Sequence, residues 1–335
     1  MLRLPPYQYH APRSLAEALD LLAQHAGNAL PIAGGTDLVP NMKQGLFAPE
    51  HLVALSRVPE LRGVELTDDG LRIGATMTLA EVGAHPLVRA HAPSFADAAS
   101  RVAGPQLRNA GTIGGNLCLD TRCTYYNQTY FWRSALGFCL KKDGQVCHVT
   151  KVGKKCVAAH SADTPPVLMT LGASMTLASP GGATRTHRVG DFFIADGIRN
   201  NVRRPDELVV SVTIPRAPRG RFAAFEKLRQ RGAIDFPLLN VAVAGELNDD
   251  GTCADVRVIV SALGSRPRVV TGLDKVVPGQ RPTAELIDAI AERAFAQCHP
   301  LDNIIVDPEW RRAMVPVYVR KALTRALGQQ VGAAA

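Results

Sequence analysis

Four cysteines, Cys123, Cys139, Cys147 and Cys156, fall in one short stretch with the spacing C-x15-C-x7-C-x8-C. Thiolates clustered in a chain without a secretion signal point to metal or redox chemistry more than to disulfides. A structural zinc site normally takes two ligands from one tight turn, and no C-x2-C pair occurs here. Thiolates offered from four separated loop positions suit a cubane iron–sulfur cluster. Zinc, and an unliganded or disulfide-linked set, remain open on spacing alone. Of the other three cysteines, Cys118 is expected as a buried thiol, and Cys253 and Cys298 as small buried hydrophobes. His148, beside Cys147, is expected at the surface rather than as a ligand.

Two glycine loops carry a second kind of chemistry. The segments AGGTDL, from Ala33 to Leu38, and TIGGN, from Thr112 to Asn116, each set adjacent glycines beside a hydroxyl and a carboxylate or amide. Glycines let backbone N–H groups come close to a pyrophosphate, while Thr and Asn side chains add hydrogen bonds. Neither loop is a Rossmann GxGxxG or a P-loop GxxxxGK[ST], which disfavours a nicotinamide dehydrogenase and a kinase. Either loop alone could be a tight turn and nothing more.

The elements that must position these residues can be read from periodicity and caps. Ser14 and Glu17 have capping-box spacing before Leu15, Ala18, Leu19 and Leu22 on one helical face. Strands are expected at Ala29 to Ala33 and Leu52 to Leu55, completing a small α/β unit over 1–57. In 58–218, strands are expected at Leu71 to Ala75, Ser174 to Ser179, Thr184 to Val189 and Leu208 to Ile214. Helices are expected after Thr78 and Glu81, from Ser94 to Arg101, and from Pro165 to Leu171; the TIGGN segment reads as a turn. The PRAPRG segment, Pro215 to Gly220, is a linker by composition. Over 219–335, strands Phe222 to Leu228, Leu239 to Leu247 and Ala254 to Ser261 would form an antiparallel sheet, covered by helices near Ala284 to Ala296 and Trp310 to Leu327. The fold class is α+β.

With 335 residues, 46% of them apolar and 20% charged, the chain can bury a sizeable core and is not a disordered, collagen-like or small disulfide-bonded chain. No run of 18 apolar residues occurs, and MLRLPPYQYHAPRS lacks the apolar part of a signal peptide, so a cytoplasmic protein with no membrane partner is expected. The net charge is +8. Between Thr121 and Val157 lie Arg122, Arg133, Lys141, Lys142, Lys151, Lys154 and Lys155 against the single acid Asp143, so most of the excess sits among the cysteines. No nucleic-acid motif accompanies it, which argues against a nucleic-acid partner. The same stretch holds six of the chain's 18 aromatic residues, Tyr125, Tyr126, Tyr130, Phe131, Trp132 and Phe138, enough for a small core of its own.

The two glycine loops together, with RVAGPQLRNAGTIGGNL, AFEKLRQR around Lys227 and IDFPLLNVAVA from Ile234 to Ala244, resemble the FAD-binding subunits of the xanthine dehydrogenase (molybdenum hydroxylase) family. The resemblance implies a two-part FAD-binding domain of the vanillyl-alcohol oxidase type followed by a C-terminal α+β domain. It implies that Ile32, Ala33, Gly34, Gly35, Thr36, Asp37 and Leu38 wrap the FAD diphosphate, with Thr36 and Asp37 bonding to it. Ala103, Thr112, Ile113, Gly115 and Asn116 would line the other side. Asp163 would bond the flavin's sugar-like chain, and Lys227 would lie near the flavin ring.

Where the family passes from GGN to its acidic position within about a dozen residues, Asn116 and Asp163 here stand 47 apart, so a segment at about 119–159 is an insertion. This insertion resembles that of the FAD subunits of 4-hydroxybenzoyl-CoA reductases, which implies a 4Fe-4S cluster on Cys123, Cys139, Cys147 and Cys156. It further implies a large subunit with a molybdenum cofactor, a small subunit with 2Fe-2S clusters, a dimer of heterotrimers, and ferredoxin as electron donor, drawn to the basic insertion. No catalytic acid, base or nucleophile set is visible in this chain, so an electron-transfer module is expected, with substrate chemistry in a partner. The alternatives are the FAD subunit of a related molybdenum hydroxylase oxidising an aromatic or N-heterocyclic compound, and a zinc-stabilised assembly protein without redox function.

Overall fold

The computed structural model describes residues 2–150 and 153–333. Lys151, counted in the basic stretch, lies outside them. The chain builds three sheets. The first is parallel, with β1 (Gln8–His10), β2 (Ala29–Ile32) and β3 (His51–Ala54) in the order β1-β3-β2, and carries helices α1 (Leu15–Gln24) and α2 (Leu38–Lys43). Ser14 caps α1 by accepting from the Glu17 amide, and Ala18, Leu19 and Leu22 form its buried stripe.

The second sheet is antiparallel and five-stranded. It comprises β4 (Val64–Thr67), β5 (Gly70–Gly74), β6 (Ser174–Ala178), β7 (Thr184–Arg188) and β8 (Leu208–Ile214), in the order β4-β5-β8-β6-β7. The chain that loops out between β5 and β6 forms α3 (Leu79–Ala84), α4 (Pro86–His91), α5 (Pro93–Ser100), α6 (Pro105–Arg108), α7 (Ile113–Leu117), α8 (Tyr130–Leu136) and α9 (Thr164–Thr170); α10 (Val189–Phe192) follows β7. Thr78 and Glu81 close a complete capping box on α3. The TIGGN segment is not the expected turn: Thr112 accepts from the Gly115 amide and so starts α7. Its glycines serve close packing instead, because a Cβ on Gly114 would lie 2.9 Å from the Ala75 carbonyl oxygen.

The third sheet runs β12-β11-β10-β9, from β9 (Arg221–Leu228), β10 (Leu239–Leu247), β11 (Cys253–Ser261) and β12 (Arg268–Val269), and packs against α11 (Ala284–Gln297) and α12 (Pro308–Ala333). Strand β10 is apolar along most of its length because both its faces are covered. Val241 and Val243 join the core beneath α12, whereas Ala242 and Ala244 join the core of the second unit. The same alternation points Asn240, and Lys227 directly opposite it on β9, toward the second unit. Two polar residues are thereby aimed into an apolar interface, where each must find a partner.

Within the insertion, Arg122 and Ala159 exchange backbone hydrogen bonds and close the neck of the excursion. The expected small core forms only in part, as a cluster in which Tyr126 and Cys139 pack with Leu46. Tyr126 is buried, but Tyr130, Phe131 and Trp132 are 61%, 82% and 39% exposed, because the short α8 turns them outward.

Candidate functional site

A cleft of about 490 Å³ opens between the first and second units, within the range of cofactor pockets. Its walls include Ile32 to Leu38 from the first glycine loop, and Thr112, Gly114, Gly115 and Asn116 from the second. The loops nearly touch: a Cβ on Gly34 would fall 1.8 Å from the Ala110 carbonyl oxygen. Gly35 has φ +68°, a left-handed backbone that glycine adopts freely. Among the described residues, the amides of Gly34, Gly35, Thr36 and Asp37 have no hydrogen-bond acceptor. Such a run of unpaired N–H groups on a cleft wall is an anion-binding concavity. Ala103, also on the wall, holds φ 43°, an uncommon conformation for a residue with a side chain.

The Asp37 side chain lines the cleft, where its carboxylate is paired with Arg122 and accepts from Asn41 Nδ2 at 3.3 Å. Burial raises its pKa, against the lowering effect of Arg122. Ile113 is fully buried and its amide is bonded to Met77, so its neighbour Gly114 lines the wall instead. Asn116 lines the wall while its Oδ1 accepts from the Thr164 amide and hydroxyl, the latter at 2.6 Å. Lys227 does not reach the cleft either. Its ammonium spends all three donors, on Asp163 Oδ2 at 2.7 Å and on the carbonyls of Arg101 and Asp235 at 3.0 Å each. Asp163, which does line the cleft, also accepts from Asn240 Nδ2 at 2.9 Å. Burial pushes the Asp163 carboxyl up, and Lys227 and Asn240 work against that shift.

The four insertion cysteines surround one small cavity, together with Tyr125, Tyr126, Lys141 and His148. Cys139, Cys147 and Cys156 are buried, Cys123 half-buried, and all four are free thiols. Burial, with the other three thiols adding repulsion, pushes Cys123 up to about 12. Cys147 is raised by burial, yet hydrogen bonds from Thr150 and from the Val149 and Val157 amides carry it below the usual thiol value. The Ala158 amide donates to Cys156 Sγ at 3.5 Å, and Gly197 admits that sulfur where a Cβ would stand 2.6 Å away. Amide donors aimed at sulfur favour the thiolate that a metal centre requires.

Sulfur ligands of one tetrahedral zinc ion stand about 3.8 Å apart, given a Zn–S bond of about 2.3 Å. Among the described residues, the one group of three or more potential ligands with donor atoms mutually within 4.8 Å is a histidine trio elsewhere. No three of the four cysteine sulfurs stand mutually within that distance. His148 is half-buried rather than exposed; its Nε2 lies 2.6 Å from the Phe138 carbonyl oxygen.

The sequence matches the FAD binding domain in molybdopterin dehydrogenase over residues 5–217, and the CO dehydrogenase flavoprotein C-terminal domain over 223–326. The chain belongs to the FAD-binding subunits of the molybdenum hydroxylase family. It is 28% identical over 325 residues to the carbon monoxide dehydrogenase medium chain of Hydrogenophaga pseudoflava, covering 96% of this chain and 97% of that one. It is 31% identical over 303 residues to the aldehyde oxidoreductase FAD-binding subunit of Escherichia coli, covering 88% and 91%. A carbon monoxide dehydrogenase structure from H. pseudoflava superposes with a TM-score of 0.80 at 28% identity, over 97% of this chain and 99% of that one.

For a flavoprotein of this family the cleft has further features that the sequence did not single out. Ser161 lines it with a buried Oγ that has no partner among the described residues, an orphan that a polar ligand would satisfy. Arg122, Arg203 and Arg231 stand on the walls among Asp37, Asp120, Asp163, Glu207 and Asp235, with Arg122 paired to Asp37 and Arg231 to Asp235. Cys118, expected as a buried thiol, is half-buried on the wall, and burial raises its pKa against the nearby Arg203. These residues come from irregular segments with no periodicity to mark them. Ile234, Asp235 and Phe236 belong to a segment that carries the family resemblance, and they too line the cleft.

The basic insertion is less of a charged surface than its composition suggested. Arg122 pairs with Asp37, Arg133 is 1% exposed and pairs with Asp143 at 3.1 Å, and Lys141 is 5% exposed and pairs with Asp120 at 2.7 Å. Lys154 and Lys155 remain exposed. No helix among the described residues is long and apolar enough to cross a membrane.

Proposed function

We propose that this chain is the electron-relay subunit of a cytoplasmic molybdenum hydroxylase or dehydrogenase that acts on an aldehyde, aromatic or N-heterocyclic substrate. It would carry FAD in the cleft and a 4Fe-4S cluster on Cys123, Cys139, Cys147 and Cys156. The observation that carries this reading is the continuity of the two sites. Arg122 lines the flavin cleft and the next residue, Cys123, lines the thiol cavity, so their Cα atoms are about 3.8 Å apart. FAD supplies two-electron storage that single-electron centres can fill or drain. In this reading the amides of Gly34 to Asp37 hold the diphosphate, Arg122 and Arg203 offset its charge, and Ser161 and Asp163 take polar groups of the linker. Lys227 keeps Asp163 oriented and charged. The substrate pocket lies in a large molybdenum-containing partner, with 2Fe-2S clusters in a small one, and the complex is a dimer of heterotrimers.

A second reading, a 4-hydroxybenzoyl-CoA reductase subunit fed by reduced ferredoxin, is favoured by the four-cysteine insertion alone. Docking of an acidic donor would then rest on the exposed Lys154 and Lys155. The relatives named for oxidative enzymes favour the first reading.

Iron, acid-labile sulfide and flavin should be measured on the anaerobically purified complex, beside a Cys139→Ser variant. About four iron atoms beyond those of the 2Fe-2S centres, lost in the variant while FAD remains, is the expected result. Equal iron in both proteins, or zinc in its place, would remove the cluster from this chain and leave a flavin-only subunit.

A further inference from the structure

Three histidines far apart in sequence meet on the first unit. His10 ends β1, His25 follows the last turn of α1, and His51 opens β3. The backbone fixes all three. Gln8 pairs with His51 in register, which sets His10 diagonally across from His51 on the same face. Asn28 donates to the His25 carbonyl, and its own carbonyl accepts from the His51 amide. The His25 and His51 rings stack with centroids 3.6 Å apart, and His10 Nε2 lies 3.0 Å from His51 Nδ1. One nitrogen from each ring falls within 4.8 Å of the other two. All three residues are half-buried, open to solvent on one side.

Such a trio is costly to keep when protonated, because three imidazolium groups would repel one another. Partial burial and the neighbouring His25 and His10 lower the pKa of His51, against the raising effect of Glu50. A neutral imidazole cluster is a ligand set for a borderline divalent transition ion. Zinc–nitrogen bonds of about 2.0–2.1 Å place tetrahedral ligands about 3.4 Å apart. The 3.0 Å pair need only open slightly, with the stacked rings pivoting to converge their lone pairs. Each imidazole offers one ring nitrogen to the ion and can carry its proton on the other, so binding needs no change beyond a choice of tautomer.

We propose that His10, His25 and His51 form a surface site for a divalent transition-metal ion of the zinc class, with the fourth position left to water. The site is separate from the flavin cleft: His51 is level with Ala29 on β2, and the diphosphate loop begins about four strand residues away, at about 3.3 Å each. The bound ion fastens the first strand and the end of α1 to β3. The inference does not depend on the proposed function.

The test is a zinc titration of the tag-free complex against a chromogenic chelator, with His25→Ala, His51→Asn and Cys139→Ser variants alongside. One equivalent of zinc is expected to bind the unaltered protein. Its affinity should fall about tenfold or more in each histidine variant and stay unchanged in Cys139→Ser. Zinc should raise the melting temperature of the unaltered protein and not that of the histidine variants, and retained FAD reports that those variants fold. Failure of the unaltered protein to bind micromolar zinc, or undiminished binding in the histidine variants, overturns the site.

Discussion

Replacing Lys227 by Met would leave Asp163 as a buried carboxylate whose Oδ2 has lost its partner and whose Oδ1 keeps only Asn240. The Lys227 and Asp163 side chains are 1% and 3% exposed, so neither water nor salt can stand in for the missing ammonium. The carbonyls of Arg101 and Asp235 lose a donor at the same time. Removing one member of a buried pair typically costs about 3–5 kcal/mol, and the two orphaned carbonyls place this site toward the upper end. Because Lys227 comes from β9 and Asp163 directly precedes α9, the loss falls on the contact between the second and third units as well as on the cleft. The variant should show a lower urea midpoint by circular dichroism and a reduced FAD content after gel filtration. Removing both charges in Asp163→Asn/Lys227→Met should cost less than the sum of the single replacements, because no charge is then left unpaired. The pH dependence has a fixed sign. Without Lys227 the folded-state pKa of Asp163 rises further above the unfolded value, so the stability penalty is present at neutral pH and shrinks as acidification protonates the group. A single-variant loss below about 1 kcal/mol, or strict additivity in the double variant, would refute the view that the pair is a coupled buried unit.

Gly34→Ala should separate the two glycine loops, since its Cβ would meet the Ala110 carbonyl oxygen at 1.8 Å. Overpacking of this kind costs about 1–3 kcal/mol, and FAD per chain should drop, whereas Gly328→Ala, with open space around its Cβ, should leave FAD content unchanged. His160 is fully buried with both ring nitrogens unpartnered among the described residues, and burial lowers its pKa from 6.5 to about 4. The unfolded chain takes up the proton first, so the stability associated with neutral His160 is complete above pH 6.5 and is lost as pH falls toward 4. The shift corresponds to about 3 kcal/mol, and His160→Leu should flatten that part of a stability–pH curve measured by urea denaturation.

Much of the scaffold was legible because it rests on local rules. The caps of α1 and α3, the apolar runs of β9 and β10, and the first glycine loop are short-range patterns, and the elements they mark form where they were expected, whereas the second glycine segment opens α7 instead of a turn. What escaped depends on residues brought together from far apart. Nothing local shows that Asp37 will pair with Arg122, 85 positions away, or that Lys227 will spend its donors on Asp163 and two carbonyls. Three insertion cations looked free because Asp37, Asp120 and Asp143 reach them only in the folded chain. Helix α8 was within reach of sequence reasoning, since Thr129 caps its start and Gly137 ends it with φ +86°, but its short length hid the periodicity.

Those pairings also bear on how the cysteine segment is held against the cleft. A loop of this length could hang from the surface by its neck, and its thiol cavity would then wander relative to the cleft. Here Arg122 fastens the entry to the first glycine loop through Asp37, and Lys141 ties the middle of the segment to Asp120 and to the Thr121 carbonyl. Asn303 from the C-terminal unit holds both ends, its Nδ2 donating to the Val157 carbonyl at 2.7 Å and its carbonyl accepting from the Thr124 amide at 2.9 Å. Each tie is made within one or two residues of a cavity-lining cysteine or of the cleft wall. Their combined effect is to hold the spacing between the two sites, the quantity on which electron transfer would depend in the proposed function. The charges that composition assigned to a partner are in large part spent on that internal geometry.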